Sequence, residues 1–380
     1  MKSFLTLSIQ LDGLLPHDLQ KLYGSFRALW DRLFVSGANG ELTYISRETL
    51  EKIMIKTLSK IGIFGLIFHS AFAGAQTAPS TDAAFDGLKI TLCGTSSPLP
   101  APGRAQACVA VETPDHLYIV DAGSGSAATA QLSGIPLGKL RGILLTHYHS
   151  DHISDIGDFN LNSWVAGRPA PLQIIGPEGV GRIVEGLNIT YELDRGYRVA
   201  HHGAELLNPE VGILQPRTIE EGVILDEDGL RITAFEVSHP PIEPAYGYRL
   251  DYSGRSVVIS GDSLVTEKIV ELSDGADVVL HDAMAVQLVQ GMEAMSRNAG
   301  NTRIATVLHD LQDYHATSAD LARLATEAKI GQLALYHLVP APRNAMASAA
   351  FKAGLPDGAL ITEDGMVISL PANSKEITVK

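Results

Sequence analysis

A chain of 380 residues that is 45% apolar and 19% charged can build a full hydrophobic core and is not a disordered segment. Its 43 acidic against 29 basic residues give a formal charge of −14, so no nucleic acid is expected as a partner. Two cysteines are too few for a disulfide framework or a cysteine-rich zinc site, whereas 13 histidines are a surplus.

Residues 1–53 carry an amphipathic pattern (Leu19, Leu22, Phe26, Leu29, Leu33) and no visible chemistry. Residues 54–75 bring Lys56 and Lys60, an apolar run from Ile61 to Ala75, and small residues at Ala71, Ala73 and Ala75. That is the layout of a secretory signal peptide. The run is shorter than the ~20 residues of a membrane span. Two readings fit a signal placed so far from Met1: translation that starts at Met54, or an uncleaved anchor behind a cytoplasmic extension. The first predicts a periplasmic or secreted protein with no stable membrane partner after cleavage. A Ser/Thr/Pro/Ala-rich linker covers 76–86, and a globular domain is expected over 87–380. Cys93 and Cys108 flank neighbouring predicted strands. Either a disulfide in an oxidising compartment or two buried thiols fits them.

From Gly87 the texture is α/β. Strands are predicted at Leu88–Cys93, Cys108–Glu112, Leu117–Val120, Gly142–Leu145, Leu172–Ile175, Arg231–Val237, Tyr246–Leu250, Ser256–Ser260, Val278–Leu280 and Gln332–Leu335. Helical periodicity marks Ile153–Ala166, Val180–Gly186, Leu264–Ser273 and Ser318–Ala328. Gly87-Leu-Lys-Ile-Thr is echoed by Gly229-Leu-Arg-Ile-Thr, a hint of two similar halves. Glu192–Asp228 reads as an irregular connection. Tyr191, Arg195, Tyr197, His201 and His202 on and beside it could wall a pocket.

The chemistry concentrates in residues 141–152, RGILLTHYHSDH. An apolar strand ends at Thr146 and presents His147, His149, Asp151 and His152 in six positions. Alternation puts His147 and His149 on one side, while Asp151 and His152 come from the following turn. Imidazoles and a carboxylate are the ligands a borderline cation prefers, and four of them can serve two ions.

This H-x-H-x-D-H pattern resembles the signature of the metallo-β-lactamase superfamily, a four-layer αβ/βα sandwich of two similar halves. The resemblance implies three more ligands, each ending an apolar run. His239 in FEVSHPP would join His147 and His149 on one metal, and Asp262 in VVISGDS would bridge. His337 in QLALYHL would complete the second metal with Asp151 and His152. It implies two Zn²⁺, with Mn²⁺ or Fe as alternatives, and Asp151 as a proton acceptor facing the nucleophilic water. Tyr314-His-Ala-Thr-Ser-Ala-Asp and Leu92-Cys-Gly-Thr-Ser-Ser-Pro resemble the ribonuclease Z and arylsulfatase-like branch, which implies leaving-group help from His315. His281-Asp282 and His309-Asp310 are candidates to orient the ligands.

The branch's RNA-gripping arm falls between the positions matching His239 and Asp262, and only 22 residues separate them here. With the export segment and the acidic body, this favours a small sulfate ester or phosphodiester over tRNA. A lactone or other acyl substrate is the alternative, and a tRNA 3′ endonuclease the lesser one. A homodimer is left open.

Overall fold

Short β-branched runs pair into two sheets in the computed structural model, which describes residues 85–380. The N-terminal extension, the signal segment and most of the linker lie outside the described residues. The first half contributes β1 (Gly87–Gly94), β2 (Cys108–Glu112), β3 (Leu117–Val120), β4 (Leu140–Leu144), β5 (Leu172–Gly176) and β6 (Leu214–Thr218). The second contributes β7 (Gly222–Glu227), β8 (Leu230–His239), β9 (Ile242–Tyr252), β10 (Arg255–Ile259), β11 (Val278–Met284), β12 (Gln332–Val339) and β13 (Leu360–Ile361). The chain then returns to the first sheet as β14 (Val367–Pro371) and β15 (Thr378–Val379). The sheet orders are β15-β14-β1-β2-β3-β4-β5-β6 and β13-β12-β11-β10-β9-β8-β7.

The halves repeat one plan. β1, β2 and β3 are antiparallel neighbours and β3, β4 and β5 run parallel. Likewise β8, β9 and β10 are antiparallel, and β10, β11 and β12 run parallel. The Gly-Leu-basic-Ile-Thr echo opens β1 in one half and β8 in the other, which are equivalent positions in this plan.

Both faces of each sheet are covered, so strands such as Leu117–Val120 read as unbroken apolar runs. Tyr118 and Val120 face the seam between the sheets with Ile232, Tyr248 and Leu280. Leu117 and Ile119 face outward, under helices that include α1 (Ser126–Leu132), α3 (Ile156–Val165) and α4 (Val180–Thr190). The short α2 (Ser150–Ile153) precedes α3, and α5 (Glu192–His202) follows α4. On the second sheet α6 (Glu267–Ser273), α9 (Ser318–Glu327) and α10 (Ala345–Lys352) contribute Ile269, Leu321 and Phe351 to the outer core. Between β11 and α9 the chain inserts α7 (Val286–Asn298) and α8 (Thr302–Asp310), which share a small core at Val289 and Leu308. The result is the expected four-layer αβ/βα sandwich.

Residues 192–228 are not irregular: they hold α5, β6 and β7. Their pattern is faint for physical reasons. α5 buries no residue and leaves Leu193 and Tyr197 exposed, so it has no buried stripe. β6 is an edge strand whose Gln215, Pro216 and Arg217 face solvent. The 22 residues between His239 and Asp262 are consumed by β9, β10 and their tight turns.

Cys93 and Cys108 form a disulfide between β1 and β2, with Cα atoms 4.9 Å apart and a separation of 15 positions in sequence. Closing a loop of that length restricts the unfolded chain by about 3 kcal/mol. A Cys93→Ala/Cys108→Ala variant should lose roughly that in urea unfolding. Equal midpoints for variant and wild type under oxidising conditions would refute this.

Candidate metal centre

The parallel strands of both sheets run toward one edge, and the polar cluster sits there. β4 leads through Thr146 to His147, His149, Asp151 and His152; β8 ends at His239; Asp262 follows β10; and His337 lies in β12. Two cross-sheet bonds hold this edge together: Tyr246 N–H donates to Thr146 O at 2.9 Å and Tyr248 Oη donates to Leu145 O at 2.7 Å. His337 has φ 42°, a left-handed conformation at the bulge where the β11–β12 register shifts. Close backbone approach also explains two glycines. A Cβ on Gly123 would lie 2.1 Å from Asp151 O, and one on Gly261, at φ +67°, 2.8 Å from Thr146 Cβ.

The seven side chains converge as overlapping triads. Potential ligand atoms of His147, His149 and His239 lie within 4.8 Å of one another, as do those of Asp151, His152 and His337. Asp262 stands between the two, grouped with His147 and His152 and again with His315 and His337. His147 Nε2 is 2.9 Å from His149 Nδ1, and His239 Nε2 is 3.4 Å from the same atom. Asp151 Oδ2 lies 3.1 Å from His337 Nε2 and 3.5 Å from His152 Nε2. Asp262 Oδ2 is 3.5 Å from His152 Nε2, while its Oδ1 is 3.3 Å from His337 Nδ1.

Three of the imidazoles suit a cation as neutral ligands, whereas His152 and His337 are raised against their burial, chiefly by the Asp262 charge, and would give up a proton to a metal. Burial holds the His147 imidazole well below its ordinary range, with His152 adding to the effect, and burial also lowers His149 and His239. Burial works to raise Asp151, but hydrogen bonds from His152 and His337 overcome it. Asp262 is held well below the carboxylate range by the charges of His337 and His152, against its burial. His152 Nε2, Asp262 Oδ1 and His337 Nδ1 are buried without any hydrogen-bond partner. Native proteins seldom leave such atoms unsatisfied, and metal ions held by this cluster would satisfy them. The residues therefore fit a dinuclear metal group.

A further layer orients these rings. Asp121, directly after β3, accepts from Thr146 N–H at 2.9 Å through Oδ1. Its Oδ2 accepts from Thr146 Oγ1 and from His152 Nδ1, both at 2.8 Å. Thr146 Oγ1 in turn lies 3.0 Å from His147 Nδ1. His239 Nδ1 donates to Tyr314 O at 3.4 Å, which leaves Nε2 as its free ring nitrogen. Sequence reasoning missed Asp121 and Thr146; the signal was the Asp-Ala-Gly that ends the β3 run.

His315 is brought to the same cluster, 2% exposed, with its ring stacked 5.5 Å from that of His337. Its Nδ1–H donates to Asp282 Oδ2 at 2.8 Å, leaving Nε2 as the nitrogen available to the site. Asp282 also lies 2.9 Å from His281 Nδ1 and accepts from Ser263 N–H at 3.2 Å. Burial raises the Asp282 carboxyl, but the bonds from His281 and His315 keep it below its usual range. Asp282 thus serves His315 rather than a metal ligand, which corrects the expected role of the His281-Asp282 pair. The His309-Asp310 pair is not brought to the site: His309 ends α8, largely exposed, 3.6 Å from Glu293. None of the residues on and beside α5 is grouped with the potential metal ligands. Tyr191 packs over Gly157 and Arg195 donates to Asn188 O.

The β-lactamase superfamily domain model matches residues 116–338, more than half of the chain. The chain belongs to the metallo-β-lactamase superfamily. Among curated members, ribonuclease Z of Mycobacterium marinum is 35% identical over 257 residues, covering 67% of this chain and 87% of that protein. Ribonuclease Z of Mycolicibacterium gilvum is 33% identical over 256 residues, 67% and 85% of the two chains. Two solved structures share the fold. The metallo-β-lactamase fold protein YhfI from Bacillus subtilis has TM-score 0.55 and 22% identity, covering 75% of this chain and all of that one. Human tRNase Z, short form, has TM-score 0.53 and 21% identity, covering 74% and 99%. This superfamily member is a metal-dependent hydrolase of ester bonds. The expectation that nucleic acid is no partner is overturned by these relatives, which are ribonucleases by name. Net charge failed as a guide because it averages over a whole surface and does not report the field at one cleft.

Proposed function

We propose that this hydrolase is a dinuclear zinc phosphodiesterase acting on RNA-type phosphodiesters. The observation that carries the reading is the pairing of the seven-ligand cluster with a histidine–carboxylate dyad beside it, in a chain 35% identical to ribonuclease Z. Five imidazoles and two carboxylates are a donor set suited to Zn²⁺. When bound, two such ions would supply an activated water at neutral pH and Lewis-acid polarisation of the phosphoryl oxygen.

The side chains do the remaining work. His147, His149 and His239 would hold one ion, Asp151, His152 and His337 the other, with Asp262 shared between them. Asp121 and Thr146 fix the tautomers of His152 and His147, so that lone pairs rather than N–H groups face inward. Asp151 is placed to take the proton of the attacking water. His315, oriented by Asp282, is placed to give a proton to the departing oxygen, a contribution of ~10²–10⁴-fold.

A panel of substrates tests the reading: a tRNA precursor with a 3′ trailer, bis(p-nitrophenyl) phosphate, p-nitrophenyl sulfate and an aliphatic lactone. The two phosphodiesters should be cleaved, with the sulfate and the lactone far behind. Turnover of the sulfate or the lactone with both phosphodiesters left intact would replace this reading with a sulfatase or acyl hydrolase.

A further inference from the structure

Tyr314 stands beside the acid, and the hydrolytic machinery makes no use of its ring. That ring meets the His239 ring nearly at right angles, with centroids 5.1 Å apart, and its centroid is 4.8 Å from that of His315. The side chain is only partly buried, and its hydroxyl has no hydrogen-bond partner among the described residues. Its backbone is pinned from both sides. The Tyr314 carbonyl accepts from His239, and the next residue but one, Ala316, is bonded through N–H to Asp282 and through C=O to Met284 N–H. Thr317 then opens α9 with a capping box shared with Asp320. A large planar side chain held this firmly, and partly open to solvent, is a preformed surface for another planar ring.

The position of the ring says which part of a substrate it meets. His315 must approach the oxygen that departs, and Tyr314 is its immediate neighbour, so a group attached to that oxygen passes over the tyrosine face. We propose that Tyr314 is a stacking platform for a nucleobase carried by the leaving group, and so a specificity-determining residue for nucleoside over alkyl phosphodiesters. The inference rests on the phosphodiesterase reading and deepens it.

The test compares the dinucleotide ApA with an analogue that lacks the base on the leaving-group side, in the metal-loaded full chain. Wild type should show a KM for ApA about tenfold below that for the abasic analogue, the range expected of one stacked base. Tyr314→Ala should raise the ApA KM to the abasic value, and Tyr314→Phe, which keeps the ring, should restore it. A preference for ApA that survives Tyr314→Ala overturns the platform. So does a loss of metal in Tyr314→Ala, which would make the residue a prop for His239. If wild type cleaves neither dinucleotide nor bis(p-nitrophenyl) phosphate, the phosphodiesterase reading itself fails, and that outcome is distinct from the other two.

Discussion

Asp262→Ala should empty most of the metal site and lower kcat/KM for a phosphodiester by at least ~100-fold, the cost typical of losing one preorganised electrostatic group. The reason is its place between the triads. One carboxylate oxygen is 3.5 Å from His152 Nε2 and 4.0 Å from His239 Nε2, and the other is 3.3 Å from His337 Nδ1. Among the described residues no other carboxylate joins both groups, so its removal leaves five imidazoles, four of them buried, with less negative charge to hold two dications together. Asp121→Asn should be milder. It touches no ion, and the change weakens only the acceptor that sets the His152 ring, which typically costs 10–100-fold in metal affinity. Elemental analysis after dialysis, read with steady-state rates, distinguishes the two variants. An Asp262→Ala protein that keeps two metals per chain and its wild-type rate would remove Asp262 from the centre.

The seven clustered side chains are legible in the sequence because each is announced locally. H-x-H-x-D-H packs four of them into six positions, and His239, Asp262 and His337 each follow an apolar run that ends at the same sheet edge. Asp121 was not, because its role depends on a contact between strands. β3 and β4 lie parallel in a register that pairs Val120 with Leu144, and only that register sets Asp121 beside Thr146. Asp282 was noticed but given the wrong partner. Its distance of 33 positions from His315 is closed by β11 and by the bond from Met284 N–H to Ala316 O, neither of which a linear pattern displays. The faintness of α5 and β6 has another origin, since elements that bury little apolar surface leave little periodicity behind.

His315→Ala should reduce kcat by ~10²–10⁴-fold on a substrate whose leaving group is an alkoxide, such as a dinucleotide, while metal content stays at the wild-type level. The same variant should lose far less on bis(p-nitrophenyl) phosphate, because p-nitrophenolate departs without needing a proton. That contrast separates an acid from a ligand. His315 is close enough to Asp262 and His337 to be grouped with them as a potential metal donor, and a ligand's loss would fall on both substrates alike. The hydrogen bonds argue for the acid. A carboxylate 2.8 Å from Nδ1 fixes which nitrogen carries the hydrogen and leaves Nε2 to the site, while the stacked His337 ring holds its plane. Asp282→Asn should therefore follow the same pattern at smaller size, lowering kcat on the dinucleotide with little change in KM. An amide can still occupy the space and bond the ring, but it can offer a donor as well as an acceptor to Nδ1, so it no longer fixes which ring nitrogen carries the hydrogen. Equal losses on the two leaving groups, or metal released from His315→Ala, would move this histidine from the proton-transfer step to the metal centre.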